Sequence, residues 1–213
     1  MAIIAKKSSS NIQPLAAGVY TGRCIGVVDV GEQYNERYKN WTHKVILIFE
    51  ISGEKVNVDD EMKPRWLSKD FSLSLSERAA LYKMITTWFN REPNEHEMAD
   101  GFDLAILLNR PATLSVTVVE KNDARFNNIT AILSVPASVN VPDAESEELY
   151  FDISEWDDAV FDKLPGWMKD RIKRSAEYQK RLPQGVENID IPDEPEGVQA
   201  DETKKADTPN VPF

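Results

Sequence analysis

Aromatic and cationic residues alternate in one polar stretch near the N-terminus of the chain. Between positions 34 and 41 the sequence carries Tyr34, Arg37, Tyr38, Lys39 and Trp41. Aromatic rings can stack on nucleobases and cations can neutralise phosphates, so this combination suits binding to a single-stranded nucleic acid. The alternative is that Trp41 begins a strand as a core residue while the two tyrosines are merely exposed.

Two more groups of residues combine cations with an aromatic ring in the same way. One group is Lys63, Arg65, Trp66 and Lys69, and the other is Lys121, Arg125 and Phe126. Lys44, a cation on a neighbouring predicted strand, is a further candidate contact. For the group around Trp66 the alternative is a core tryptophan with solvent-facing cations. For Arg125 and Phe126 the alternative is an ordinary hairpin loop between two strands.

Residues that could support catalysis are few and badly spaced. His43 and His96 are the two histidines, and neither belongs to a metalloprotease motif; phosphate-loop and nucleophile-elbow motifs do not occur. The acidic run from Asp59 to Glu61 lacks the ligand spacing of a calcium loop, and Cys24 has no base placed near it in the sequence. We therefore predict a protein that is not an enzyme and that uses no cofactor and no metal.

The net charge of -11 argues against nucleic-acid binding, but its distribution along the chain does not. Residues 1–135 contain 16 Lys or Arg and 17 Asp or Glu, whereas residues 182–213 contain 2 and 8. The first segment is nearly neutral and can carry a local basic surface. The single cysteine, the absence of a signal-peptide pattern and the absence of about 20 consecutive apolar residues predict a soluble protein of a reducing cytoplasm without membrane contact.

The hydrophobic pattern predicts five strands and one intervening helix. The predicted strands are 18–30, 42–51, 66–73, 114–118 and 129–135. A capping box starting at Ser74 predicts a helix from there to about Asn90, with Met84, Ile85 and Trp88 in the core. Gly22 and Gly26 suggest a bend or bulge in the first strand. A helix between strands three and four is the element order of the OB-fold, a five-stranded Greek-key barrel. The predicted fold is thus mainly β with α.

Four segments follow from this pattern. They are a flexible N-terminus at 1–17, the OB-like domain at 18–136, a helical extension at 137–181 that packs on the barrel, and a disordered acidic tail at 182–213. One C-terminal helix is predicted from Gly166 to about Arg181. The basic residues of this extension form one side of that helix, either solvated or in contact with DNA: Lys163, Lys169, Arg171, Lys173, Arg174, Lys180 and Arg181.

The organisation of the chain resembles that of phage single-stranded-DNA-binding proteins. The resemblance rests on the barrel order and on an acidic tract that is followed by Asn210, Val211, Pro212 and Phe213. The segment WDDAVFDKLPGWMKDRIKRSAEY also looks like one that follows the barrel in phage replication-module proteins. Lys204 and Lys205 dilute the acids, and Asn210 stands where the class usually has an acid.

The resemblance implies sequence-independent binding and protection of single-stranded DNA during phage replication or recombination, in the cytoplasm of a bacterial host. It also implies that Val211, Pro212 and Phe213 recruit replication or recombination proteins. Two alternatives stay open, an OB-like adaptor that does not bind DNA and an acidic DNA mimic that inhibits a host enzyme. The sequence leaves the oligomeric state open, with a homodimer among the options.

Overall fold

The computed structural model describes residues 13–58, 60–121 and 124–182. Most of the predicted flexible N-terminus, and the predicted tail beyond residue 182, lie outside these ranges. Within them, no helix is long and apolar enough to cross a membrane.

The described part of the chain is mainly β, with short helices. Its strands are β1 (Gly18–Asn35), β2 (Asn40–Val58), β3 (Glu61–Ser72), β4 (Pro111–Lys121), β5 (Ala124–Leu133) and β6 (Leu149–Phe151). Its α-helices are α1 (Ala80–Phe89), α2 (Glu95–Asp100), α3 (Asp158–Lys163), α4 (Gly166–Lys173) and α5 (Ala176–Arg181), and a 3-10 turn covers Leu104–Leu107. The predicted order of five strands with a helix between the third and the fourth is confirmed.

The first five strands form a curled antiparallel sheet in the order β3-β2-β1-β4-β5. The sheet closes far enough that its outer strands meet: Lys69 Nζ on β3 donates a hydrogen bond of 2.6 Å to the carbonyl oxygen of Ile129 on β5. The result is a half-barrel. β6 adds a parallel pairing to β1, from Gly26↔Leu149 to Val28↔Phe151, and was not predicted.

Several strands are longer than the hydrophobic pattern indicated. β1 continues past residue 30, and its pairing with β2 shifts register between Cys24 and Gly26 and between Asp29 and Gly31. The irregularity that Gly22 and Gly26 suggested is therefore found at Gly26, whereas the pairing with β2 does not shift at Gly22. Residues 52–64 were predicted as a loop, but most of them extend the β2–β3 hairpin, with pairs from Lys55↔Pro64 to Val58↔Glu61. The hydrophobic pattern did not indicate this extension because polar residues lie on both of its faces. A two-stranded ribbon that is solvated on both faces needs no alternation of apolar and polar residues.

The main core lies between the concave face of the sheet and α1. Met84, Ile85 and Trp88 are buried there against β-strand residues such as Phe49, as predicted. The predicted helix start is wrong: α1 begins at Ala80, and the Ser74 hydroxyl instead accepts from the Ser76 amide in a local turn. The predicted end is right, since Asn90 ends α1 in the left-handed conformation.

A second core covers the convex face of β1 and β2. Ile25, Val28, Ile46 and Ile48 point to this side and pack against the C-terminal segment, which supplies Leu149, Phe151, Ile153, Leu164, Met168 and Ile172. The single C-terminal helix that was predicted is wrong, because the chain breaks at Ser175. Its hydroxyl caps a new helix, α5, by accepting from the Tyr178 amide.

Candidate nucleic-acid interface

The strongest candidate surface is the tip of the β1–β2 hairpin. The last antiparallel pairs are Tyr34↔Trp41 and Asn35↔Asn40, so residues 36–39 form the turn. The Asn35 side chain accepts from the Tyr38 amide at 3.2 Å, and Lys39 has a φ of 49°. Asparagine favours such turns because its side chain can hydrogen-bond to the backbone a few residues on. The local sequence thus builds a tight tip that leaves its long side chains outside.

The aromatic side chains of this tip are exposed to solvent. Tyr34 and Trp41 are each 50% exposed and Tyr38 is 63% exposed. Trp41 is therefore not a core residue. The rings of Tyr34 and Trp41 lie 5.3 Å apart, and the Arg37 guanidinium lies 5.5 Å from the Tyr38 ring. Unburied rings of this size beside cations give a surface on which bases can stack while phosphates are neutralised.

The second group of predicted contacts divides between the two faces of β3. Arg65 is buried and donates to the Gln13 carbonyl at 2.6 Å, while Lys69 donates to Ile129 across the opening of the half-barrel. Burial lowers the pKa of both cations. Arg65 thus holds the segment before β1, and Lys69 joins β3 to β5.

The other two members of this group, Trp66 and Lys63, are exposed, and the separate candidate Lys44 on β2 is half-buried. Trp66 is 37% exposed and its indole Nε1 donates to the Ser146 hydroxyl at 2.9 Å. Lys63 is exposed and lies 3.3 Å from Glu61. Lys44 donates to the Ser72 hydroxyl at 3.0 Å, and burial lowers its pKa. Trp66 and Lys63 keep an accessible surface, whereas Lys44 is partly enclosed.

The third group lies at the β4–β5 hairpin. Lys121 pairs with Ala124, and the two turn residues between them lie outside the described ranges. Arg125 is exposed, and the Phe126 side chain is 43% exposed. This tip repeats the combination of a ring and a cation on a smaller scale.

The fold places these groups at opposite ends of β1. Its C-terminal end leads to the tip at residues 36–39, whereas its N-terminal end, Gly18, pairs with Val116 close to the β4–β5 turn. The β2–β3 turn lies at this second end too, because β2 pairs with β1 up to Ile51↔Gly22 and then continues to that turn. β1 has 18 residues, a strand path of roughly 55 Å at the usual rise. An extended chain is the kind of ligand that could follow this path and contact both ends.

Residues 141–146, which include two acids, cover part of the outer face of the sheet between these ends. The buried carboxylate of Glu50 accepts from the amides of Glu145 and Ser146 at 2.7 and 2.9 Å. Glu145 also pairs with Lys55 at 2.9 Å, and Arg23 donates to the carbonyls of Val141 and Pro142. These contacts are long-range, so residues adjacent in sequence could not reveal them.

Several cations of the C-terminal segment contact acidic or aromatic neighbours. Arg171 pairs with Asp70 at 3.0 Å and Lys163 with Glu147 at 2.8 Å, while the Arg181 guanidinium lies 4.7 Å from the Trp156 ring. Because the predicted helix is two helices, its basic residues do not form one continuous side.

The surroundings of His43 and Cys24 shift the pKa values of both side chains. His43 Nε2 lies 2.6 Å from Asp29 Oδ1, and this hydrogen bond is the main cause that raises the pKa of His43. Burial raises the pKa of the Cys24 thiol to about 12, which keeps it protonated. Among the described residues no group of His, Cys, Asp or Glu side chains could hold a metal ion. Asp59 and the predicted partner-binding residues Val211, Pro212 and Phe213 lie outside the described ranges.

No protein-family model matches this chain, and no curated protein matches it in sequence.

Proposed function

We propose that this protein binds single-stranded DNA without sequence preference and protects it. The observation that supports this most strongly is the β1–β2 tip, where three exposed aromatic rings lie beside Arg37 and Lys39. Every base offers a face for stacking and every nucleotide a phosphate, so such a surface does not discriminate between sequences. Phe126 and Arg125 at the far end of the sheet form a second contact for the same extended strand.

The half-barrel is, in this proposal, an OB-like barrel. The element order, the sheet order β3-β2-β1-β4-β5 and the approach of β3 to β5 through Lys69 support the assignment. The loops between strands one and two and between strands four and five are common nucleic-acid contacts in that architecture, and these loops carry the exposed rings here.

The proposed setting is phage DNA replication or recombination in the cytoplasm of a bacterial host, as the resemblance in sequence organisation implies. In this proposal the acidic tail competes with DNA, and Phe213 binds a replication or recombination protein. One feature of the described chain supports the competition. Glu177 on α5 accepts from the Glu32 amide at 2.8 Å, so the last described residues lie beside the end of β1 that carries Tyr34.

Photo-crosslinking tests the proposed DNA contacts. Irradiation of the full-length protein with an oligothymidylate should join DNA to peptides that contain residues 34–41 and 124–126. Crosslinks confined to α4 and α5 would contradict the proposed surface. A complete lack of crosslinks would favour the adaptor or the DNA mimic over a DNA-binding protein.

Two truncations test the tail. Deletion of residues 183–213 should tighten DNA binding, most visibly at low salt, because a tethered polyanion has a high effective concentration and is least screened there. Removal of Phe213 alone should leave DNA affinity unchanged and abolish partner capture from infected cells. If the full-length protein and the variant without Phe213 captured identical partners, this would contradict a recruiting role of the terminus.

A further inference from the structure

A cavity of about 250 Å³ opens where α1 and β5 end and β4 begins. It is lined by Trp88, Arg110, Pro111, Ser134 and Val135. None of these residues is acidic. A second cavity, of about 230 Å³, lies between the 3-10 turn and β6 and has Asp29, Asp103 and Asp152 in its lining. The two cavities differ in charge, and the first one favours an anion.

The guanidinium of Arg110 lies over an aromatic ring and lines the cavity. Its Cζ lies 3.7 Å from the centre of the Phe89 ring, the distance of a stacked contact. Among the described residues no carboxylate lies within 4.0 Å of it and no group accepts a hydrogen bond from its side chain. Arg23, Arg65 and Arg171, by contrast, each donate to a protein oxygen.

Arg110 lines the cavity, and its side-chain nitrogens keep some accessible surface. Its nitrogens are not among the fully buried side-chain atoms that lack a partner. Burial lowers the pKa of Arg110, and the nearby positive charge of Arg91 lowers it further. Because the ring fixes the guanidinium plane, its N–H groups form a prearranged fork of the kind that binds an oxyanion through two bonds.

Ser134 contributes another donor to the same cavity. Its hydroxyl oxygen accepts from the Asn90 side-chain amide at 2.8 Å, and among the described residues nothing accepts the hydroxyl proton. A serine hydroxyl can accept and donate at once, so this proton is available to a ligand. The fork alone would satisfy the two oxygens of a carboxylate. The added hydroxyl suits a group with a third oxygen.

We propose that this cavity binds a phosphate group, with Arg110 as its bidentate partner and Ser134 as a further donor. The site goes beyond the proposed DNA interface, since neither hairpin tip contributes to its lining. The same chemistry is offered by inorganic phosphate, by a phosphate monoester such as a nucleotide, and by the phosphodiester backbone of a strand.

The indole of Trp88 provides a probe for binding. Its Nε1 donates to the Pro111 carbonyl at 2.8 Å, and both residues line the cavity. In the full-length protein, titration with sodium phosphate against sodium chloride at constant ionic strength should shift the assigned Trp88 indole N–H resonance along a saturating curve. Arg110→Gln should weaken binding by about tenfold or more, since it removes two charged hydrogen bonds. Ser134→Ala should weaken it less.

The controls separate this site from general charge effects and identify the phosphate source. Arg78→Gln removes the charge of an exposed arginine elsewhere and should bind like wild type. If thymidine 5′-monophosphate binds and thymidine does not, the ligand is a phosphate monoester. If an unphosphorylated thymidylate trinucleotide binds as tightly as the monophosphate, the ligand is the phosphodiester backbone. If Arg110→Gln fails to fold, two other variants replace it in the titration. Arg110→Lys keeps the charge and loses the two parallel donors, and Ser134→Ala removes the hydroxyl. Linear shifts without saturation, equal affinity in wild type and these variants, or acetate binding as tightly as phosphate would overturn the proposal.

Discussion

Tyr34 and Trp41 face each other across the β1–β2 hairpin, with ring centres 5.3 Å apart and planes inclined by 55°. Each side chain is half exposed, so the contact excludes little water and contributes little to the core. A ring pair of this kind stiffens the hairpin tip and keeps two aromatic faces accessible. The proposed DNA-binding activity rests on this arrangement.

Replacing the aromatic residues of the tip should weaken DNA binding without unfolding the protein. Trp41→Ala, Tyr34→Ala and Tyr38→Ala should each cost about 1–3 kcal/mol of binding free energy if the rings stack on bases. Fluorescence anisotropy gives the affinity, and urea denaturation of each variant gives its stability. Trp167→Ala, which removes another exposed tryptophan on α4, is the matched control and should bind like wild type. Unchanged affinity in all three tip variants would remove the tip from the interface.

Arg65 should affect stability and not DNA affinity. Its buried guanidinium satisfies the Gln13 carbonyl, so Arg65→Ala should lower the free energy of unfolding by about 1–3 kcal/mol. Lys63→Ala, two residues earlier and exposed, should change stability by no more than about 0.5 kcal/mol. Chemical denaturation measures both. A loss of DNA affinity in Arg65→Ala at unchanged stability would return this residue to the interface.

His43 should make stability depend on pH. Its hydrogen bond to Asp29 raises its pKa in the folded state, with Asp29, Glu177 and Glu32 adding to the shift and burial opposing it. A raised pKa gives a stabilisation that is complete below the unfolded value of about 6.5 and is lost as pH rises through the folded value. The stability difference between wild type and His43→Gln should therefore shrink on raising the pH.

Urea denaturation of both proteins at a series of pH values measures this difference. His96→Gln serves as the control, because the His96 side chain is 85% exposed. A difference that stays constant, or that grows as the pH rises, would show that the protonated His43 does not stabilise the fold.

Gly31 should be needed where α5 meets β1. Its φ is +72°, and a Cβ there would collide with side-chain atoms of Glu177, Ile153 and Ser175. Gly53 has a similar φ of +77° but nothing within 4 Å of a Cβ. Gly53→Ala therefore measures the backbone strain alone, about 1–2 kcal/mol, and Gly31→Ala should be more destabilising by thermal denaturation. Equal losses of stability in the two variants would mean that the C-terminal segment accommodates the added methyl group without a free-energy cost.

The strand order was predictable because apolar alternation marks β-strands with a buried face. The same alternation could have located Arg65 and Lys69: they share a face with Leu67 and Phe71, which pack on the main core. Their charge suggested a solvent-facing position, although backbone carbonyls accept hydrogen bonds from both side chains within the fold.

Other features depend on contacts between distant residues. β1 extends through Glu32 and Gln33, polar residues held by Glu177 and by the Arg171 carbonyl, more than a hundred positions away. The Glu50 carboxylate binds amides of residues 145 and 146. Neither contact leaves a pattern in the local sequence. For the candidate site, the exposed rings were predicted as a group, but their distribution over two ends of the sheet follows from strand register alone.

The most direct test of the central claim is a fluorescence titration of the full-length protein with labelled single-stranded and duplex oligonucleotides of one length, at several salt concentrations. The single strand should bind more tightly, and the logarithm of its association constant should fall with the logarithm of salt concentration by about 0.7 per phosphate contact. Equal or tighter binding of the duplex, or no binding of either DNA at low salt, would contradict the proposed function.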